Sequence, residues 1–118
     1  KNFVDNQNAV GQLLSAYCEA HKTKNIEALQ DLFHPAFESK EINNTGLKQY
    51  KKEEINDPGY AFGSFENSRP YQLVKSEIFQ NKLAIVKLDL IQYDSSVFIV
   101  AMKISGEWKI ISERISNK

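Results

Sequence analysis

Residues 82–115 read KLAIVKLDLIQYDSSVFIVAMKISGEWKIISERI. Apolar residues recur there with a period near two, broken at Asp94-Ser95 and Ser105-Gly106. Side chains alternate between the faces of a strand, and separators this short admit only hairpins. Residues 71–79 precede them across Gln80-Asn81, so the pattern predicts four strands in an antiparallel meander, at 71–79, 82–93, 96–105 and 107–115. Parity sorts the faces. Ala84, Val86, Leu88 and Leu90 share one, as do Phe98, Val100, Met102 and Ile104, and then Trp108, Ile110, Ser112 and Arg114. This is the face expected to meet the helices.

The opposite face carries Leu83, Ile85, Ile91, Val97, Ile99, Ala101 and Ile111, interrupted by Lys87, Asp89 and Lys103. A solvated face of an antiparallel sheet is normally polar. A broad apolar outer face implies that something covers it, and the expected cover is a second copy of the chain in an isologous homodimer. The plainer alternative is that β-branched residues simply suit strands.

Working back towards the N-terminus, Val10, Leu13, Leu14, Tyr17 and His21 lie on one stripe of a helix expected over about residues 4–21, with Asp5 as its N-cap. Asn25 is placed to cap a short second helix through Ile26, Leu29, Leu32 and Phe33, which Pro35 ends at about His34. Residues 36–42 alternate weakly and read as a first strand, and Asn43-Asn44-Thr45-Gly46 is turn chemistry. Residues 47–55 have helical composition, and residues 56–70, with Asp57-Pro58-Gly59, Gly63 and Pro70, read as a long loop. Helices followed by a strongly bent antiparallel meander make an α+β plan.

At 118 residues and 13.5 kDa the chain is expected to be a single domain spanning 1–118. Fifteen basic and fifteen acidic residues cancel, leaving no electrostatic footprint for nucleic acid or an anionic membrane. The longest unbroken apolar run, residues 97–102, is far too short to span a bilayer. One cysteine, Cys18, makes no internal disulfide, and His21 and His34 stand thirteen apart without metal-ligand spacing. No metal or cofactor is therefore expected. No nucleophile elbow, Walker loop or dinucleotide fingerprint occurs. The sequence begins at Lys1 rather than Met, so an upstream initiator, tag or secretory signal is expected to have been removed. The expected compartment is the cytoplasm, with the periplasm or export as the alternative.

Three stretches, AVGQLLSAY (residues 9–17), IEALQDLFHP (26–35) and MKISGEWKII (102–111), give the chain a resemblance to the nuclear transport factor 2-like superfamily. It most resembles the small bacterial branch described as putative lumazine-binding, or SnoaL-like. The resemblance implies a cone with a cystatin-like outline: a strongly curved antiparallel sheet wraps the N-terminal helices and leaves a pocket lined by the first helix, the first strand and the inner sheet face. It also implies pairing through the outer face. It is not specific for an activity.

The ketosteroid isomerases of that superfamily use a helix-one tyrosine, an aspartate base on the first strand and a second, protonated acid. Carried over by position, the resemblance puts Tyr17 on the tyrosine, Glu41 on the base and Val100 where the second acid stands. That last is a departure that removes an oxyanion donor. Parity with Phe37 places Ser39 and Glu41 inward. Burial disfavours the charged form of a carboxylate, so an enclosed Glu41 is a candidate base and Tyr17 a candidate acid. The plainer reading is a solvated glutamate and a core tyrosine. His34 suits a helix C-terminus, or alternatively lines the pocket. Ser76, Trp108, Ser112 and Val100 on the inner face, with Tyr60 and Phe62 from the long loop, complete the expected ligand lining. Arg114 is placed to meet either an anionic ligand group or solvent. The leading function is binding of a small apolar or aromatic molecule. The alternatives are a proton-transfer enzyme, isomerase or dehydratase, built on Glu41 and Tyr17, and an interaction module whose cavity is filled by its own side chains.

Overall fold

The apolar stripe of the first helix decides where the rest of the chain packs. A computed structural model of the protein describes residues 2–55, 71–90 and 95–116. In α1 (Asn2–Thr23), Val10, Leu13, Leu14, Tyr17 and His21 are all buried, and Cys18 and Ala20 widen the stripe. The helix begins earlier than its periodicity indicates, so Asp5 sits in the first turn, where its charge suits the helix dipole, and is not the cap. Asn25 does cap α2 (Ile26–Asp31): its Oδ1 accepts from the Ala28 N–H at 3.1 Å.

α2 stops short of the expected His34. The Leu32 carbonyl accepts from the Ile110 N–H at 2.8 Å, which hands the chain to the sheet. Phe33, His34 and Pro35 therefore belong to β1 (Phe33–Asn43). The β1 pairing shifts register between Phe33 and Glu38, the stretch in which Pro35 has no N–H to offer.

The turn at residues 43–46 is as expected, with Gly46 at φ +145. Beyond it the chain forms a strand, β2 (Gly46–Lys51), and a 3-10 turn (Lys52–Glu54), where the composition indicates a helix. The tight turn folds this segment back onto β1 over six paired positions, and hydrogen bonding to a neighbour overrides a weak local propensity. The loop expected over residues 56–70, with Tyr60, Phe62 and Phe65, and also Ile91, lies outside the described residues.

The last four strands are β3 (Tyr71–Phe79), β4 (Leu83–Leu90), β5 (Ser95–Ile104) and β6 (Glu107–Ser116). Gln80 and Asn81 at φ 53 and 57, and Ser105 and Gly106 at φ 53 and 81, make the tight turns that right-twisted hairpins require. The curved open sheet runs β2-β1-β6-β5-β4-β3, antiparallel except where β1 lies parallel to β6. The fold is thus the expected α+β cone.

Two parities differ from the sequence reading. In β5 the inward residues are Val97, Ile99 and Ala101, while Phe98 and Val100 face out. Register dictates this: Val86 pairs with Ile99 and Leu88 with Val97, and directly opposed residues share a face. In β6, Val100 pairs with Ser112 but Ala101 with Ile110, so Ile111 is an extra residue, a β-bulge. Trp108 and Ile110 point inward as expected. Beyond the bulge Glu113 and Ile115 point inward, and Ser112 and Arg114 face out.

The N-terminal end of α1 is fastened to the sheet by one side chain. Buried Asn6 presents its Oδ1 to Trp108 Nε1 at 3.2 Å and Lys103 Nζ at 3.1 Å. Replacing it strands a buried indole donor, and an orphaned donor costs about 1–3 kcal/mol. Asn6→Ala is expected to lower unfolding free energy by about 2 kcal/mol, read as a shifted urea midpoint at unchanged slope.

Candidate functional site

Three elements converge on one carboxylate. The α1 stripe carries Tyr17 to the sheet, the bulge in β6 turns Glu113 inward, and the parallel register sets Ser39 of β1 opposite it. The Tyr17 hydroxyl donates to Glu113 Oε2, and the Ser39 hydroxyl donates to Oε1 at 2.7 Å. Glu113 and Ser39 are 0% exposed and Tyr17 is 1% exposed. A carboxyl taken out of water is costly unless its oxygens are satisfied, and hydroxyl donors to a carboxylate are among the stronger hydrogen bonds available. The cluster therefore locks helix to sheet at its polar centre.

Glu41 follows Ser39 on the same inward face and is buried, as its parity with Phe37 requires. The wall beside the cluster is aromatic: Phe33 and Phe37 stack with centroids 3.7 Å apart, and Phe33 lies 6.5 Å from Tyr17. His21, one turn along α1, meets the Tyr17 ring edge-on at 4.7 Å. Its imidazole is lowered from an ordinary 6.5 to about 3 by burial, so it is neutral over the physiological range.

A cleft opens between α1 and β3. It holds about 440 Å³ and is lined by Gln7, Gly11 and Leu14 on the helix and by Leu73, Ser76, Glu77, Ile78 and Phe79 on the strand. Its surface is mainly apolar, and Gly11 leaves open space where a side chain would stand.

Of the residues expected at a site, the structure joins Tyr17 to Ser39, keeps Glu41 on the same face and puts Ser76 on the cleft wall. It does not bring His34, Trp108, Val100 or Ser112 into that group. His34 is half-buried on β1, its Nδ1 accepting from the Ala36 N–H at 3.0 Å. Trp108 is engaged with Asn6. Val100 and Ser112 pair with each other on the outer face, which takes both away from any inner pocket. Glu113 escapes sequence reasoning because the Ile110-Ile111 doublet hides the bulge from a parity count, and regularly paired doublets such as Ile85-Val86 look the same in the sequence. Among the described residues no three His, Cys, Asp or Glu side chains converge to hold a metal ion, and no helix is long and apolar enough to cross a membrane.

Comparison with known proteins agrees with this geometry. The model of the family described as "Putative lumazine-binding" matches residues 5–114. The chain belongs to that family. No curated protein matches it. Solved structures place the family member in the nuclear transport factor 2-like fold. An NTF-2-like protein of unknown function from Silicibacter pomeroyi DSS-3 superposes with a TM-score of 0.80 at 12% identity, covering 98% of each chain. Another, from Methylobacillus flagellatus KT, gives 0.77 at 16% identity, covering 98% of this chain and 94% of its own. A putative scytalone dehydratase from Novosphingobium aromaticivorans DSM 12444 gives 0.73 at 14% identity, covering 99% and 87%. At such identities the likeness is one of fold.

Tyr17→Phe removes a hydroxyl donor to Glu113 and is expected to cost about 1–3 kcal/mol in urea unfolding. Combined with Ser39→Ala, the loss is expected to differ from the sum of the two single losses, because both donors serve one carboxylate. For pH, the unfolded chain protonates His21 as pH falls through about 6.5, whereas the fold holds it neutral down to about 3. The unfolded state binds more protons throughout that window. His21 therefore withdraws stability on acidification, by up to about 1.4 kcal/mol per pH unit. His21→Phe keeps a ring against Tyr17, and its melting temperature is expected to fall less steeply than the parent's between those limits.

Proposed function

We propose that this member of the putative lumazine-binding family binds a small, largely apolar or aromatic molecule in the cleft between α1 and β3. The observation that carries the reading is the cleft itself: about 440 Å³, walled by Leu14, Leu73, Ile78 and Phe79, with Gln7, Ser76 and Glu77 as its few polar points. Small-molecule sites are typically concave, mostly apolar spaces of roughly 300–1,000 Å³ with a handful of polar groups to fix orientation. A cleft of this size weighs against a module filled by its own side chains.

A second reading, a proton-transfer enzyme with Glu41 as base and Tyr17 as acid, draws on the two sharing the inner face with a buried carboxylate. Binding is the better supported of the two. Tyr17 already donates its proton to Glu113 and is 1% exposed, so a substrate would first have to displace that bond. The outer face supports self-association: Ile85, Phe98 and Ile104 are 42%, 40% and 39% exposed, and they share one face of β4 and β5, which suits an isologous contact.

Native mass spectrometry of protein purified without added ligand tests both parts. The expected result is a dimer carrying a small molecule that departs on denaturation. Gly11→Phe projects a ring into open cleft space, and it is expected to abolish the retained mass while leaving the melting temperature within a few degrees of the parent. A monomer would remove the pairing. A ligand retained equally by Gly11→Phe would remove the cleft.

A further inference from the structure

The outer face of the sheet carries an arrangement that the cleft does not use. Lys40 of β1 lies directly opposite Arg114 of β6, and Arg114 lies directly opposite Phe98 of β5. Two like charges set across from one another on one face destabilise a sheet. Lys75 likewise lies opposite Lys87, but there each cation has an acid two residues along its own strand: Lys75 pairs with Glu77 at 2.9 Å and Lys87 with Asp89 at 3.7 Å. Lys40 and Arg114 have no carboxylate partner among the described residues. Among the described residues Arg114 is held in place by backbone contacts, Nη1 donating to the carbonyls of Glu38 at 3.3 Å and Glu113 at 3.1 Å. That leaves the rest of its planar fork to meet an anion.

Beside this doublet the surface is apolar and hollow. A groove of about 300 Å³ with an almost wholly apolar surface is lined by Ile42, Leu47, Phe98 and Ile115, with Lys40 and Arg114 bordering it. Ile42 and Leu47 are 57% and 56% exposed, although they oppose each other as an apolar cross-strand pair. Two positive charges with no ion pair among the described residues, next to an apolar trough, fit one kind of molecule, a negative head group on an apolar body. Guanidinium geometry matches a carboxylate's two oxygens, and one anion between the two cations removes the repulsion that the bare site bears.

We propose that this groove binds a small alkyl or aryl carboxylate, its head group between Lys40 and Arg114 and its body along Ile42, Leu47 and Phe98. The site shares no lining residue with the α1–β3 cleft, so it does not depend on that reading, whereas it shares Phe98 with the face proposed for self-association.

The test is titration of the isotope-labelled full chain with octanoate, followed by amide chemical shifts, with octanol and octylamine as controls. Octanoate is expected to shift residues 40–47, 98 and 114–116 saturably, and neither control is expected to do so. Lys40→Gln alters a side chain that has no carboxylate partner among the described residues, so the fold is expected to persist. It is expected to weaken octanoate about tenfold, the loss of one charge-assisted contact, and Lys40→Arg is expected to restore binding. Arg114→Gln is expected to weaken it similarly, with the melting curve as the check on folding. Equal responses to octanol and octanoate overturn the proposal. So do shifts confined to Gln7, Gly11, Leu14 and Ser76, which would support the cleft instead. A Lys40→Gln variant whose octanoate affinity is unchanged while its dimer dissociation constant moves overturns it too, because the groove would then be a contact between copies.

Discussion

A single carboxylate without contact to water ties the architecture together. Glu113 sits where α1, β1 and β6 meet, and each of the two other elements supplies a hydroxyl to it: Tyr17 from the helix and Ser39 from the parallel strand. Hydrophobic packing is non-directional. It holds the stripe of α1 against the sheet but does not fix the helix's rotation or its position along the strands. The hydrogen bonds to Glu113 supply direction at one end, and those to Asn6 from Trp108 and Lys103 supply it at the other. Between these two polar fastenings lie Val10, Leu13 and Leu14, which need only be apolar and of suitable size.

The placement of that carboxylate depends in turn on one extra residue. Without the bulge at Ile111, strand alternation would carry Ser112 and Arg114 inward and Glu113 to solvent. The bulge therefore has effects on both faces. Inside, it creates the polar centre. Outside, it delivers Arg114 next to Lys40 and keeps a guanidinium out of the core.

Much of the architecture is legible in the sequence, and the failures have physical causes. The α1 stripe, the Asn25 cap, the turn at residues 43–46, the four C-terminal strands and the inward parity of Ser39 and Glu41 all obey local rules, because each is decided by neighbours within a few residues. The faces of β5 are not legible: Val97, Ile99 and Ala101 are as apolar as Phe98, Val100 and Met102, so only the register with β4 separates them. β2 is hidden because it is a polar edge strand with Tyr50 as its one half-buried residue, and it carries no alternation to read. Tyr17 and Ser76 fall on the elements their spacing assigns. Their true companions, Glu113 and the α1–β3 cleft, depend on a bulge and on tertiary packing that no spacing rule encodes.

The parallel pairing of β1 with β6 bears on how the molecule comes into being. Ser39 and Glu113, joined across it, stand 74 residues apart in the chain, whereas every other pairing joins strands that are neighbours in sequence. Synthesis proceeds from the N-terminus, so a nascent chain presents α1 and the β1–β2 hairpin long before the strand that unites them with the rest has left the ribosome. Until then, the edge of β1 that will receive β6 has its backbone groups open, and Tyr17 and Ser39 have no Glu113 to engage. The final strand is thus the closing piece of the assembly, and ring closure over so many residues places this step late and makes it slow compared with hairpin formation.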